Sequence, residues 1–119
     1  MKTYQLNLPK QEIKECMRGL FDYLNYLFHI YEDEGKEKEI YLEEQREILL
    51  KLFEKIEFNF EKNKIILLNS EELDLISKGL SSTIFWIEKY KSDETDGKEQ
   101  EIISYIKNIN LKVESLKNA

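Results

Sequence analysis

Scarcity marks this chain. Its 119 residues include one cysteine, one proline, one histidine and four glycines. A lone Cys16 cannot form an internal disulfide, and a reducing compartment is its natural setting. Four glycines without a Gly-Lys-Ser/Thr run exclude a phosphate-binding loop. No apolar run approaches the roughly 18 residues of a membrane span, and Met1–Gln5 has no apolar signal core. A soluble, cytoplasmic protein without membrane attachment is expected. Arg18 and Arg46 are the only arginines, so the basic charge is nearly all lysine. With many Ile, Asn and Glu residues, this suits an AT-rich bacterial or phage coding bias.

A basic face is missing too. Residues 1–60 carry 9 basic and 13 acidic side chains, residues 61–119 carry 9 and 11, and the net charge is −6. Direct binding of DNA or RNA is therefore disfavoured. An acidic surface suits solubility or a basic protein partner.

Constellations for catalysis or metal binding are equally thin. His29 has Tyr26 three residues before it, not the carboxylate of a Glu-x-x-His metal motif. Cys16 and His29 point to different sides of one helix and cannot form a nucleophile pair. The acidic turns before Gly35 and Gly97 fail as calcium loops. With Gly97 in the sixth position, Ser92, Glu94 and Asp96 fall at liganding positions, but the twelfth is Ile103, where a bidentate Glu is required. With Gly35 in the sixth, the first is Ile30 and the twelfth Tyr41. Ser81 and Ser82 have no base in reach along the sequence, and Glu43, Glu44 and Glu47 read as a solvated helix face. The expectation is a non-catalytic protein with no cofactor and no metal.

What the chain has is apolar patterning. Hydrophobic residues make up 41% and charged residues 35%, a balance suited to a folded, helix-rich protein. Thr3–Leu8 alternates as a half-buried strand, and Pro9 ends it. A first helix is expected from about Pro9 to Asp33, with Ile13, Cys16, Met17, Leu20, Leu24, Leu27 and Tyr31 on one face. Arg18, Asp22, Asn25 and His29 form its polar strip, and Tyr23, Tyr26 and Ile30 form a second flank beside Gly19. A second helix, from about Glu39 to Phe58, turns Tyr41, Ile48, Leu49, Leu52, Phe53 and Ile56 inward. Residues 57–61 fit either a strand or a helical extension. Ile65–Leu68 reads as a buried strand. Asn69 and Glu72 form a capping box for a third helix, which runs to about Lys91 with Leu73, Ile76, Leu80, Ile84 and Ile87 inward. After a polar loop at Ser92–Gly97, a fourth helix runs from about Lys98 to Leu116, with Ile102, Ile103, Ile106, Ile109 and Val113 inward.

The order strand, helix, helix thus occurs twice. A shift of 60 positions brings Gly19-Leu20 onto Gly79-Leu80, Leu6 onto Ile66, Glu12 onto Glu72 and Tyr26 onto Trp86. The fourth helix matches the second at a shift of 61. The predicted fold is mainly α with a small β component. Four helices form two helical hairpins, each preceded by a short strand, in a βαα–βαα pseudo-twofold repeat with antiparallel strand pairing. A single domain, 1–119, would comprise units 3–58 and 64–117. Helices one and three would cross at Gly19 and Gly79.

These features suit a small acidic protein-binding module, such as a stoichiometric inhibitor, immunity-type or anti-defence regulator of a bacterial or phage protein. The candidate partner-binding residues are the flank aromatics Tyr23, Tyr26, Trp86 and Tyr90 and the acidic turn Glu32, Asp33 and Glu34. Each aromatic fits core packing as well as an interface, and a helix crossing at the glycines would favour core. The alternatives are a homo-oligomeric structural or adaptor protein with Leu50, Tyr105 and Leu111 as contacts, a homodimer included, and a nucleic-acid-linked regulator or DNA mimic.

Overall fold

The alternation at the start of the chain yields only a short strand. The computed structural model describes residues 2–90 and 97–118. Its elements are β1 (Tyr4–Gln5), α1 (Lys10–Tyr31), α2 (Lys36–Glu61), β2 (Leu67–Leu68), α3 (Ser70–Lys89) and α4 (Lys98–Leu116). The protein is mainly helical, with one small antiparallel sheet of two strands. The expected loop at 92–97 lies, apart from Gly97, outside the described residues.

The strands pair with Tyr4 opposite Leu68 and Gln5 opposite Leu67, and the Leu6 N–H donates to the Ile66 carbonyl at 2.9 Å. Leu6, Ile66 and Leu68 are buried. Ile65 and Leu67 are 63% and 49% exposed, so the second strand is not wholly buried as its composition suggests. A two-stranded ladder covered by helices on one face hides only alternate residues.

Local chemistry sets the helix starts. The Asn69 side chain accepts from the Glu72 N–H at 2.8 Å, and the Glu72 carboxylate accepts from the Asn69 N–H at 2.9 Å, a complete capping box. Pro9 heads α1 without a side-chain cap, its carbonyl accepting from Glu12 and Ile13. Gly35, at φ 85°, supplies the left-handed turn ahead of α2. Residues 57–61 extend α2 as helix, which puts half-buried Phe60 against the core one turn beyond Ile56. Asn63, at φ 53°, follows that helix end.

The core lies between the four helices and the inner face of the sheet. Cys16, Leu20, Ile56, Leu68, Leu73, Ile76, Leu80, Ile106, Ile109 and Val113 are essentially inaccessible. Two expected core residues point outward: Ile48 is 46% and Ile102 45% exposed. In each case the next residue, Leu49 or Ile103, also expected inward, is the one that is buried. Burial pushes the Cys16 thiol up to about 12, with the Glu12 and Glu15 carboxylates adding to the effect.

Helices α1 and α3 cross at the two glycines. A Cβ placed on Gly19 would lie 2.8 Å from the Gly79 carbonyl carbon, and one placed on Gly79 would lie 2.7 Å from that of Gly19. Only hydrogen fits at either position. Beyond the crossing the two helices continue in contact in the same direction, through Asp22 with Thr83, Tyr26 with Phe85 and His29 with Lys89. Helix α1 also packs on α2, and α3 on α4. Tyr31 meets Tyr41 at 5.8 Å and Phe21 meets Phe53 at 4.7 Å between ring centroids. Ion pairs tie the first turns of the long helices to more distant elements: Glu12 to Lys112 at 2.9 Å, and Glu72 to Lys55 at 3.0 Å.

Candidate functional site

Close approach at the glycines brings polar groups of each helix within reach of the other. The Trp86 indole N–H donates to the Asp22 carbonyl at 2.9 Å. The buried Thr83 hydroxyl donates to the Asp22 carboxylate at 2.5 Å. Arg18 lies 3.8 Å from the same carboxylate, one turn back on α1. Asp22 therefore belongs to the helix contact and not to an open polar strip. A satisfied carboxylate and indole at a helix crossing fix the rotation of both helices.

From this anchor a row of rings runs toward the C-terminal ends of α1 and α3. Tyr26 packs edge-on against Phe85 at 5.0 Å, Phe85 against Trp86 at 5.2 Å, and Trp86 stacks on Tyr90 at 5.9 Å with planes 10° apart. His29 joins Trp86 at 5.4 Å. The Lys89 ammonium contacts His29 Nε2 at 2.8 Å and lies over the Phe85 and Trp86 rings. Tyr23, Tyr26, Phe85 and Trp86 are half-buried, whereas Tyr90 is 73% exposed. Burial raises the Tyr23 phenol above its ordinary range, and the neighbouring phenols Tyr41, Tyr31 and Tyr26 add to this.

The helices cross where the glycines suggest, yet the aromatic flank is not swallowed by the core. The rings begin one turn past the crossing, where side chains hold the helices further apart. Tyr26, Trp86 and Tyr90 come together in one row, and Tyr23 lies beside it in a groove. That groove, of about 390 Å³, is lined by Tyr23, Tyr26, Ser77, Lys78, Ser81, Ser82, Phe85 and Glu114. Sequence reasoning passed over Phe85, the ring that links Tyr26 to Trp86. Its position one residue before Trp86, off the main stripe of α3, was the available clue.

The acidic turn is a separate feature. Glu32, Asp33 and Glu34 are exposed and directly follow the last turn of α1, which carries His29. The Glu34 N–H donates to the Tyr31 carbonyl at 3.1 Å. Unsatisfied carbonyls at the end of α1 add partial negative charge to this turn. Beside it the Lys38 ammonium sits 4.5 Å from the centre of the Tyr31 ring.

Among the described residues, no group of three or more His, Cys, Asp and Glu side chains is placed to hold a metal ion. Among the same residues, no helix is long and apolar enough to cross a membrane. Ser77 donates to Asn110 Oδ1 at 2.5 Å and lies 3.2 Å from Glu114. His29, the sole imidazole, faces Lys89 and Trp86 instead. No protein-family model matches the chain, and neither a curated protein nor a solved structure does.

Proposed function

We propose that this chain is a non-catalytic protein-binding module, a stoichiometric inhibitor, immunity-type or anti-defence regulator of a bacterial or phage protein. The observation that carries the reading is the partly exposed row Tyr26, Phe85, Trp86 and Tyr90. Tyrosine and tryptophan on a rigid helical frame contribute large amphipathic area at little entropic cost, which favours them at protein interfaces. The acidic turn Glu32, Asp33 and Glu34 and the net charge of −6 suit a basic partner. In this reading the chain arose as a βαα–βαα duplication of two helical hairpins related by a pseudo-dyad. Three contacts between residues 60 positions apart support that history: Leu6 with Ile66, Gly19 with Gly79 and His29 with Lys89.

The test begins with capture of the partner from cells that naturally express the protein, followed by binding kinetics. Reversing the turn with E32K/D33K/E34K should slow association and flatten its dependence on salt. Tyr90→Ala should speed dissociation. Kinetics unchanged by both variants would remove the reading. A second reading, self-association through exposed Leu111 and Tyr105 on α4, is favoured by those two apolar side chains. Light scattering at micromolar concentration decides it, since a strict monomer rules it out.

A further inference from the structure

His29 is the only histidine and Trp86 the only tryptophan, and the fold places them side by side. Between centroids, the imidazole stands 5.4 Å from the indole and 6.2 Å from the Phe85 ring. The indole is held in turn by its N–H bond to the Asp22 carbonyl. Lys89, in the last turn of α3, lies across these rings. Its ammonium is 5.6 Å from the centre of Trp86 and 5.9 Å from that of Phe85, and it meets His29 Nε2 at 2.8 Å. An ammonium can only donate, so Nε2 must be the bare acceptor nitrogen of a neutral imidazole that keeps its proton on Nδ1. The contact therefore specifies one protonation state of His29.

We infer that His29 and Lys89 form a proton-operated cover on the aromatic row: protonation of His29 at Nε2 expels the Lys89 side chain and bares the Phe85 and Trp86 rings. The inference does not depend on the protein-binding reading. Imidazole is the side chain that ordinarily changes charge between about pH 5 and 8. A proton on Nε2 removes the lone pair that Lys89 uses and sets two like charges in contact. The last turn of α1 favours a cation at His29 and the last turn of α3 favours one at Lys89, but the contact admits only one of them. The lysine is the one that moves. An imidazolium keeps its place beside the indole, now as a cation next to a π system, whereas Lys89 has a flexible stem and an exposed position from which water receives its charge. The other ionisable groups nearby do not replace the contact. On α1, Asp22 is bonded to Thr83, Tyr26 packs on Phe85, and Glu32 and Asp33 lie exposed in the turn beyond. On α3, Glu88 is exposed and Tyr90 stacks on Trp86. Helix α2 meets α1 at Tyr31, where Lys38 covers a different ring. Among the described residues, no carboxylate forms an ion pair with His29 or Lys89, so none anchors the lysine once the imidazole is charged.

The test is an NMR titration of the full chain from about pH 8 to about pH 5, following the His29 ring protons and the Lys89 ε-methylene protons. At the alkaline end the rings should shift the Lys89 signal upfield of the other lysines. As pH falls, that displacement should be lost with the same midpoint as the His29 titration, and Trp86 fluorescence should become more accessible to acrylamide across the same step. H29Q, whose amide oxygen can accept from Lys89 at every pH, should hold the lysine over the rings throughout. In Lys89→Met the introduced methyl should stay upfield at both ends while His29 still titrates, because an uncharged side chain is not repelled. A Lys89 signal that stays upfield while His29 becomes protonated overturns the inference, as does one never displaced from the other lysines. Release that persists in H29Q, or a methyl in Lys89→Met that leaves with the same midpoint, assigns the motion to another group and overturns it too. If H29Q misfolds, the two midpoints in the natural chain and the behaviour of Lys89→Met decide the matter.

Discussion

Phe21 of α1 and Phe53 of α2 pack at 4.7 Å between ring centroids, whereas sixty and sixty-one positions further along the chain Ser81 and Glu114 line a groove of about 390 Å³. Two rings in contact contribute roughly 0.5–1.5 kcal/mol beyond their buried area. Serines in a helix give little in exchange, since a hydroxyl bonded to the carbonyl four residues back, as in Ser82, mainly satisfies itself. Ser81 and Glu114 make no ring contact of the kind that Phe21 and Phe53 make.

Several measurements can break or sharpen this contrast. The largest effect belongs to the crossing, which both sides share. Gly79→Leu should abolish folding, read by circular dichroism, because even a Cβ there would lie 2.7 Å from the Gly19 backbone. Gly79→Ala should cost about 2–3 kcal/mol net, overpacking outweighing the roughly 1 kcal/mol that alanine gains in a helix. A stabilised Gly79→Ala would mean the helices do not meet there, and the two-sided comparison would lose its axis.

Next in size is an alkaline effect at Cys16, the residue 60 positions before Ile76. The folded thiol is raised from its ordinary 9.0 to about 12, so the unfolded thiol ionises first as pH rises. The stability this group contributes is full below pH 9 and falls between about 9 and 12, by on the order of 4 kcal/mol at the limit. Urea titrations across that range should show a steeper decline for the natural chain than for Cys16→Ala. Tyr23, also raised, adds a smaller decline in the alkaline range, which Tyr23→Phe removes. An equal slope in Cys16→Ala would show that the thiol is not held apart from water.

The seam itself comes next. Phe53→Ala should cost about 2 kcal/mol, less than a fully buried ring because Phe53 is half-buried. Glu114→Ala, the corresponding change on the open side, should stay within about 0.5 kcal/mol. Equal costs would mean that the two seams are energetically alike. The smallest effect concerns helix starts. Asn69→Ala should cost about 1 kcal/mol by removing the capping box of α3. No substitution can remove a side-chain cap from α1, which has none. An unchanged melting temperature in Asn69→Ala would erase that difference.

Much of the architecture was legible because it depends on near neighbours in the chain. Apolar spacing marked four helices, Asn69 and Glu72 marked the start of α3, and the first strand was visible as alternation and the second as a short apolar run. The stripes were too wide: they took both Ile48 and Leu49, and both Ile102 and Ile103, as inward, and the packing of the partner helices buries only the second of each pair. Residues 57–61 were ambiguous for a similar reason: Phe58 and Phe60 alternate like a strand, but the continuing helix buries Phe60 beside Ile56. In the candidate site, four rings were visible in advance. Phe85 and the role of Asp22 were not, since neither follows from its own helix's periodicity.

The sequence by itself determined the helices, the pairing-prone strands and the two small residues that let helices touch, since each rests on local periodicity or on a missing side chain. Only the tertiary structure decided that Asp22 faces Thr83 and Trp86, that the aromatic flank stays half-open past the crossing, and that Tyr23, Tyr26 and Phe85 line a groove. Those outcomes depend on distances between residues far apart in the chain, which are fixed by how two helices lean on each other at Gly19 and Gly79.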